Sequence, residues 1–122
     1  MHHILIIEDE PSIAEMYKLK LELNGYVVLI ASNGLNGLKY LENNSPDLIL
    51  LDLMMPVMNG EEFLSRLRKL EAYRNTPVIV LTNVSREEAP KTLWHYGISD
   101  YFVKAHNTPS HLIDVVKRHL YC

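Results

Sequence analysis

Leu48-Ile49-Leu50-Leu51-Asp52 is an unbroken apolar run closed by a carboxylate, and Ile4-Leu5-Ile6-Ile7 is a second, closed by Glu8 and Asp9. Short all-apolar runs bounded by turn residues are the pattern of strands buried on both faces, as in a parallel sheet. Carboxylates just past the carboxyl ends of two such strands converge on one edge of the sheet, where open α/β folds bind their ligands. Three acidic groups crowded there repel one another unless a cation joins them. Oxygen-only donors favour a hard ion such as Mg2+.

Working outward from these runs, the chain alternates between two periodicities. Strands are predicted at residues 3–7, 27–30, 48–51, 78–81 and 101–103, and helices near 12–23, 35–43, 61–70, 87–96 and 109–120. Phe63, Leu64, Leu67 and Leu70 recur at helical spacing, as do Leu112, Ile113, Val116 and Leu120, so each of these helices has one core-facing stripe. Asn24-Gly25 and Gly97 suit left-handed helix ends, and Thr108 before Pro109 suits an N-cap with proline opening the helix. Alternating strands and helices imply right-handed crossovers and a mostly parallel sheet covered on both faces. Pro90 is the misfit. Ser85 and Glu88 resemble a capping box, which would put Pro90 about five residues into the fourth helix, so this helix either starts late or has a distorted first turn.

The chain has 122 residues, the length of one domain, and its last helical pattern runs nearly to the end, leaving no room for a second. On this reading the protein works alone or acts on a detached output domain. A net charge of −3 argues against direct nucleic acid binding, which needs a basic face. No stretch is long and apolar enough for a membrane span, and no signal-peptide pattern opens the chain. The single cysteine, Cys122, leaves no internal disulfide to form, in keeping with a reducing, cytoplasmic setting.

Two more strand ends carry chemistry. Thr82 follows Val78-Ile79-Val80-Leu81, and Lys104 follows Tyr101-Phe102-Val103. A threonine or a lysine at a strand end means little alone. An acidic pair, an aspartate, a threonine and a lysine in that order make a set suited to a phosphoryl group.

With these residues in place, the sequence resembles the receiver domain of two-component response regulators, the CheY-like family. The stretches that carry the resemblance are Ile6-Ile7-Glu8-Asp9-Glu10, Asp47 through Asp52 with Met55-Pro56 and Asn59-Gly60, Pro77 through Thr82, and Asp100 through Lys104. It covers almost the whole chain and implies a single flavodoxin-like (βα)5 domain over residues 1–122, with a five-stranded parallel sheet of order 2-1-3-4-5. It implies that Asp52 accepts a phosphoryl group from a sensor histidine kinase or a histidine phosphotransfer protein. Mg2+ would be held by Glu8, Asp9, Asp52 and the backbone carbonyl of Met54. Lys104 would pair with Asp52 before transfer and with a phosphoryl oxygen afterwards, and Thr82 would donate its hydroxyl to another. Thr82 and Tyr101 would then form the switch: the threonine moves toward the phosphoryl group, and the Tyr101 ring turns inward. The face built from the fourth helix, fifth strand and fifth helix changes shape and engages a downstream protein. Such a domain catalyses its own phosphorylation and slow dephosphorylation without being an enzyme in its own right.

Several positions depart from the family pattern. Ala105 stands where receivers carry a proline after the lysine. A cis bond to a non-proline residue costs about 3–4 kcal/mol, so a trans Lys104–Ala105 bond and a rearranged loop through His106 and Asn107 are predicted. Asn83 is bulkier than the small residue common there. Met54 and Val84 flank the approach of water to the phosphoryl group and cannot orient it, which predicts slow loss of the acyl phosphate. His111 and Val115 fall where the DNA-binding subfamily has charged residues for a phosphorylation-dependent homodimer, which weakens the case for that dimer. Trp94 and Tyr96 lie on or beside the output face.

Two readings from other classes compete. Aspartyl-phosphate phosphatases also use Mg2+ and a strand-end aspartate, but typically place a second aspartate two residues on, where this chain has Met54, so general-acid help is missing. A flavin-binding reading rests on fold analogy alone, because no glycine-rich loop follows the first strand. His95, His106, His111 and His119 lack transition-metal ligand spacing.

Overall fold

A computed structural model describes residues 2–120; Cys122 lies outside the described residues. Five parallel strands form one sheet in the order β2-β1-β3-β4-β5, with β1 at His3–Ile7, β2 at Val27–Ala31, β3 at Leu48–Leu51, β4 at Val78–Thr82 and β5 at Asp100–Val103. The α-helices are α1 Pro11–Leu23, α2 Gly34–Leu41, α3 Gly60–Lys69 and α4 Pro109–Leu120. Both the flavodoxin-like fold and its strand order agree with the sequence reading. Among the described residues, no helix is long and apolar enough to cross a membrane.

The apolar runs explain the layering. Along each strand alternate side chains point to opposite faces, and here both faces are covered. Ile4, Ile6, Leu48, Leu50, Ile79, Leu81 and Phe102 pack against α1 and α4, while Leu5, Ile7, Ile49, Leu51, Val78 and Val80 pack against α3. Phe63, Leu64 and Leu67 are fully buried, as their spacing predicts, but Leu70 lies beyond the helix and is exposed. Gly25 and Gly97 take the left-handed conformation expected of them.

The fourth helical pattern is where prediction and structure part. Residues 87–96 do not form an α-helix. Ser85–Ala89 makes a turn, Pro90 breaks the chain direction with φ −59° and ψ 130°, and a 3-10 helix follows at Lys91–Tyr96. Proline has no N–H to give to an α-helical ladder, so the segment restarts after it in the tighter form. The α-helix numbered α4 here is therefore the fifth pattern of the sequence. Arg68 fastens the far end of the 3-10 segment. Its guanidinium donates to the carbonyls of Tyr96 (2.7 Å), Gly97 (3.2 Å), Tyr73 (2.7 Å) and Thr76 (2.9 Å).

The strand registers level the chemistry-bearing ends. Ile7 is opposite Leu51, so Glu8 and Asp52 leave the sheet side by side. Thr82, the last residue of β4, is opposite Val103, so Lys104 emerges one step beyond it. The chain then returns into α3 very close to this edge. A Cβ on Gly60 would lie 2.4 Å from the Asp52 carbonyl oxygen and 2.8 Å from Leu53 Cα. Backbone atoms cannot yield as a flexible side chain can, so glycine is required for this approach. Gly60→Ala is expected to destabilise the fold by about 1–3 kcal/mol through overpacking, measured as a lower urea midpoint.

Candidate functional site

Glu8, Asp9, Asp52, Thr82 and Lys104, spread over almost the whole sequence, meet at the carboxyl edge of the sheet. Asp9, Asp52, Thr82 and Lys104 line one cleft of about 280 Å³, together with Glu10, Met54, Asn83 and Val84. Glu8 is buried beside it, 3% exposed and bonded to Lys104, and Asp52 is 8% exposed. Glu8, Asp9 and Asp52 each offer a carboxylate oxygen within 4.8 Å of the others. One cation can bridge such a set, and all-oxygen donors suit a hard divalent ion.

Lys104 is the counter-charge. Its ammonium donates to Glu8 Oε1 and lies 3.5 Å from Asp52 Oδ2, with only 10% of the side chain exposed. The sequence reading pairs it with Asp52 alone; the structure shares it between the two carboxylates. Burial works to discharge Lys104, but the hydrogen bond to Glu8 and the Asp52 charge outweigh it, and its pKa is raised. Glu8 responds oppositely. Burial penalises its anion more than the Lys104 hydrogen bond favours it, and the Asp52 charge adds to that penalty, so its carboxyl is raised to about 7. The Lys104–Ala105 bond is trans, since no cis peptide occurs among the described residues. The loop closes as a 3-10 turn over Lys104–His106, with the Asn107 amide donating to the Val103 carbonyl at 2.8 Å.

A short relay leads away from the cleft. Thr82, fully buried, accepts at Oγ1 from the Val84 N–H at 3.4 Å. The Val84 carbonyl accepts from the Tyr101 hydroxyl at 2.6 Å. One residue thus joins the threonine to the tyrosine. Tyr101 is buried here, 5% exposed, with its hydroxyl held at the Val84 carbonyl. Trp94 packs over it with ring centroids 6.3 Å apart, and the Arg86 guanidinium lies 5.7 Å from the Tyr101 ring and 5.8 Å from Trp94. Cation–π contacts of this kind favour arginine. At the two positions where that dimer would need charges, Val115 is buried in the core and His111, exposed, stacks on Phe102 at 5.7 Å.

The sequence reading missed Arg86, Arg68 and Glu10. Arg68 sits on the polar face of a predicted helix and Arg86 before another, where an arginine reads as solvated, and each finds its partners only after the chain folds. Glu10 could have been suspected from its place after Glu8-Asp9; its N–H donates to Glu8 Oε2 at 3.2 Å.

Comparison with known proteins is decisive for the family. The family model described as response regulator receiver domain matches residues 4–117. The chain belongs to the response regulator receiver domain family. This receiver is 44% identical over 104 residues to the transcriptional regulatory protein YkoG of Bacillus subtilis (strain 168), covering 84% of this chain and 44% of the relative. The chain spans less than half the length of the transcriptional regulators it matches. Among solved structures, the chemotaxis response regulator CheY4 of Vibrio cholerae superposes with a TM-score of 0.90 at 31% identity, covering 98% of this chain and 99% of that one. The response regulator TrrA of Thermotoga maritima, solved in complex with Mg(2+)-BeF, gives a TM-score of 0.86 at 33% identity over 98% of this chain and 100% of that one.

The raised pKa of Glu8 fixes the sign of a pH effect. Its ordinary value is 4.5 and its folded value about 7, so between these the folded receiver binds more protons than the unfolded chain. Stability therefore falls as pH rises through that window. Asp52→Asn removes a like charge facing Glu8. It is expected to make the decline shallower without abolishing it, because burial of Glu8, the larger cause, remains. Urea midpoints of both proteins from about pH 5 to about pH 8 measure this.

Proposed function

We propose that this receiver is a phosphorylation-controlled switch in which Asp52 is the phospho-acceptor. The observation that carries the reading is the shared lysine: Lys104 stands between Glu8 and Asp52 where three carboxylates meet. An Asp52 oxygen attacks phosphorus, the O–P bond forms as the N–P bond of a phosphohistidine breaks, and the imidazole leaves. Carboxylates act as such nucleophiles, and phosphoryl transfer depends mainly on positioning and charge neutralisation. Lys104 contributes a charge-assisted contact to the transferred group, about twice as strong as a neutral one. Thr82 Oγ1 gives up its bond from Val84 and donates to a phosphoryl oxygen. Mg2+ held by Glu8, Asp9, Asp52 and the Met54 carbonyl would supply positive charge to the phosphoryl oxygens. The donor set fits that ion, and the Mg(2+)-BeF complex of TrrA accords with it.

The output follows from the relay. When Thr82 turns toward the phosphoryl group, the Val84 N–H loses its acceptor, and the carbonyl holding Tyr101 shifts with the same residue. Tyr101 lies under Trp94 and Arg86, so the change reaches the surface formed by residues 84–96, β5 and α4 without a large rotation of the ring. Sensor histidine kinases or histidine phosphotransfer proteins are the donors on this reading, and a downstream protein or a separate output domain is the recipient. The phosphatase alternative gains no support, because Met54, where a general acid would stand, is an exposed apolar side chain.

With Mg2+ and acetyl phosphate the chain is expected to gain one phosphoryl group by intact-mass measurement, and Asp52→Asn to gain none. Modification of the Asp52→Asn protein to the same extent would rule out Asp52 as acceptor. Met54→Asn or Val84→Glu is expected to speed decay of the acyl phosphate several-fold by giving water a hydrogen-bonding partner. Unchanged decay in both would show that water is limited elsewhere.

A further inference from the structure

A second depression, of about 370 Å³, adjoins the acceptor cleft. Met54, Met55, Val84 and Pro90 supply its apolar wall, and Glu61 and Glu88 are the only charged residues among its lining. Met54 and Val84 line both hollows, so the two are continuous across these side chains. A macromolecular donor that reaches Asp52 past Met54 and Val84 lies over this depression as well. A small donor does not.

Three features mark it as a contact surface. Met54 is 68% exposed and Val57, on the same loop, 74%. Val57, on that loop but outside the lining of the hollow, holds φ +69°, a conformation that a β-branched residue adopts only under strain. Strained, apolar and exposed segments gather at ligand sites, and methionine is the side chain that best adapts to another surface. Each acid also accepts one hydrogen bond from a hydroxyl outside the lining. Glu61 Oε2 accepts from the Thr92 hydroxyl, and Glu88 Oε1 from the Ser85 hydroxyl at 2.9 Å. Each bond engages one of the two carboxylate oxygens. No basic residue lines the hollow, so its charge suits a cationic neighbour and repels an anionic one.

We propose that this depression seats an apolar side chain flanked by a lysine or arginine on the protein that delivers the phosphoryl group to Asp52. The proposal rests on the reading of Asp52 as acceptor and names the chemistry its donor presents. Donors lacking that pair of residues transfer slowly even with their phosphohistidine intact, which makes the hollow a specificity determinant separate from the reacting atoms.

The test uses the full chain with Mg2+ and two phosphohistidine peptides of equal length. In one the phosphohistidine is followed at helical spacing by leucine and lysine; in the other these are serine and glutamate. Acetyl phosphate is the third donor. The leucine–lysine peptide is expected to phosphorylate Asp52 about tenfold faster or more, the order expected from burying one leucine-sized side chain. Glu88→Lys and, separately, Pro90→Asp, both at exposed positions, should bring the two peptide rates together while leaving the acetyl phosphate rate within about twofold. Equal rates from both peptides would overturn the proposal, as would failure of both while acetyl phosphate still labels Asp52. A preference that survives both substitutions would place the contact elsewhere and also overturn it. If no donor labels Asp52, the acceptor reading falls and the donor surface with it.

Discussion

A single ammonium held between two buried carboxylates governs this molecule. Without Lys104, Glu8 and Asp52 would face each other as buried like charges, where water screens little. With it, both can remain close enough to share a cation with Asp9. The cost of desolvation is still visible, since Glu8 keeps its proton to about neutrality and Lys104 holds its own more tightly. The cleft is therefore poised, with too many negative groups for its one internal cation. Strand register enforces this crowding, because β1, β3, β4 and β5 end at nearly one level.

That arrangement gives the output path its direction. Thr82 is the last residue of β4, and Val84 just beyond it bonds to Thr82 through its N–H and to Tyr101 through its carbonyl. A change in what Thr82 bonds to is delivered to one peptide segment and from there to an aromatic held under Trp94 and Arg86. The 3-10 segment Lys91–Tyr96 is pinned at its far end by Arg68, while the turn before Pro90 is tied to the cleft and to Tyr101 through Val84. The proline that forbids a regular helix stands between these two ties. Hydrogen bonds in a short 3-10 segment have poorer geometry than those of an α-helix, which lowers the cost of changing it.

The acceptor cleft and the neighbouring hollow divide the work between chemistry and recognition. Residues that touch the reacting atoms come from strand ends, which the sheet holds rigidly. Residues that would touch a donor protein come from the loops after β3 and β4, whose exposed Met54 and strained Val57 contribute nothing evident to the core. Scaffold-borne chemistry with loop-borne recognition lets one fold serve many donors.

Much of this was legible in the chain itself. The apolar runs marked the central strands because a parallel strand covered on both faces is almost wholly apolar, and the polar residue ending each run placed Glu8, Asp9, Asp52, Thr82 and Lys104 on one edge. The bond at Lys104–Ala105 and the helix caps followed from backbone preferences local to a few residues. Tertiary structure alone decided that Lys104 divides itself between two carboxylates, that Tyr101 is already buried, and that Arg68 pins the 3-10 segment Lys91–Tyr96. Each of these depends on distances between residues far apart in sequence, and on which of several competing partners lies nearest once the sheet and helices have packed. Local pattern dictates which groups reach the edge; only packing assigns their partners.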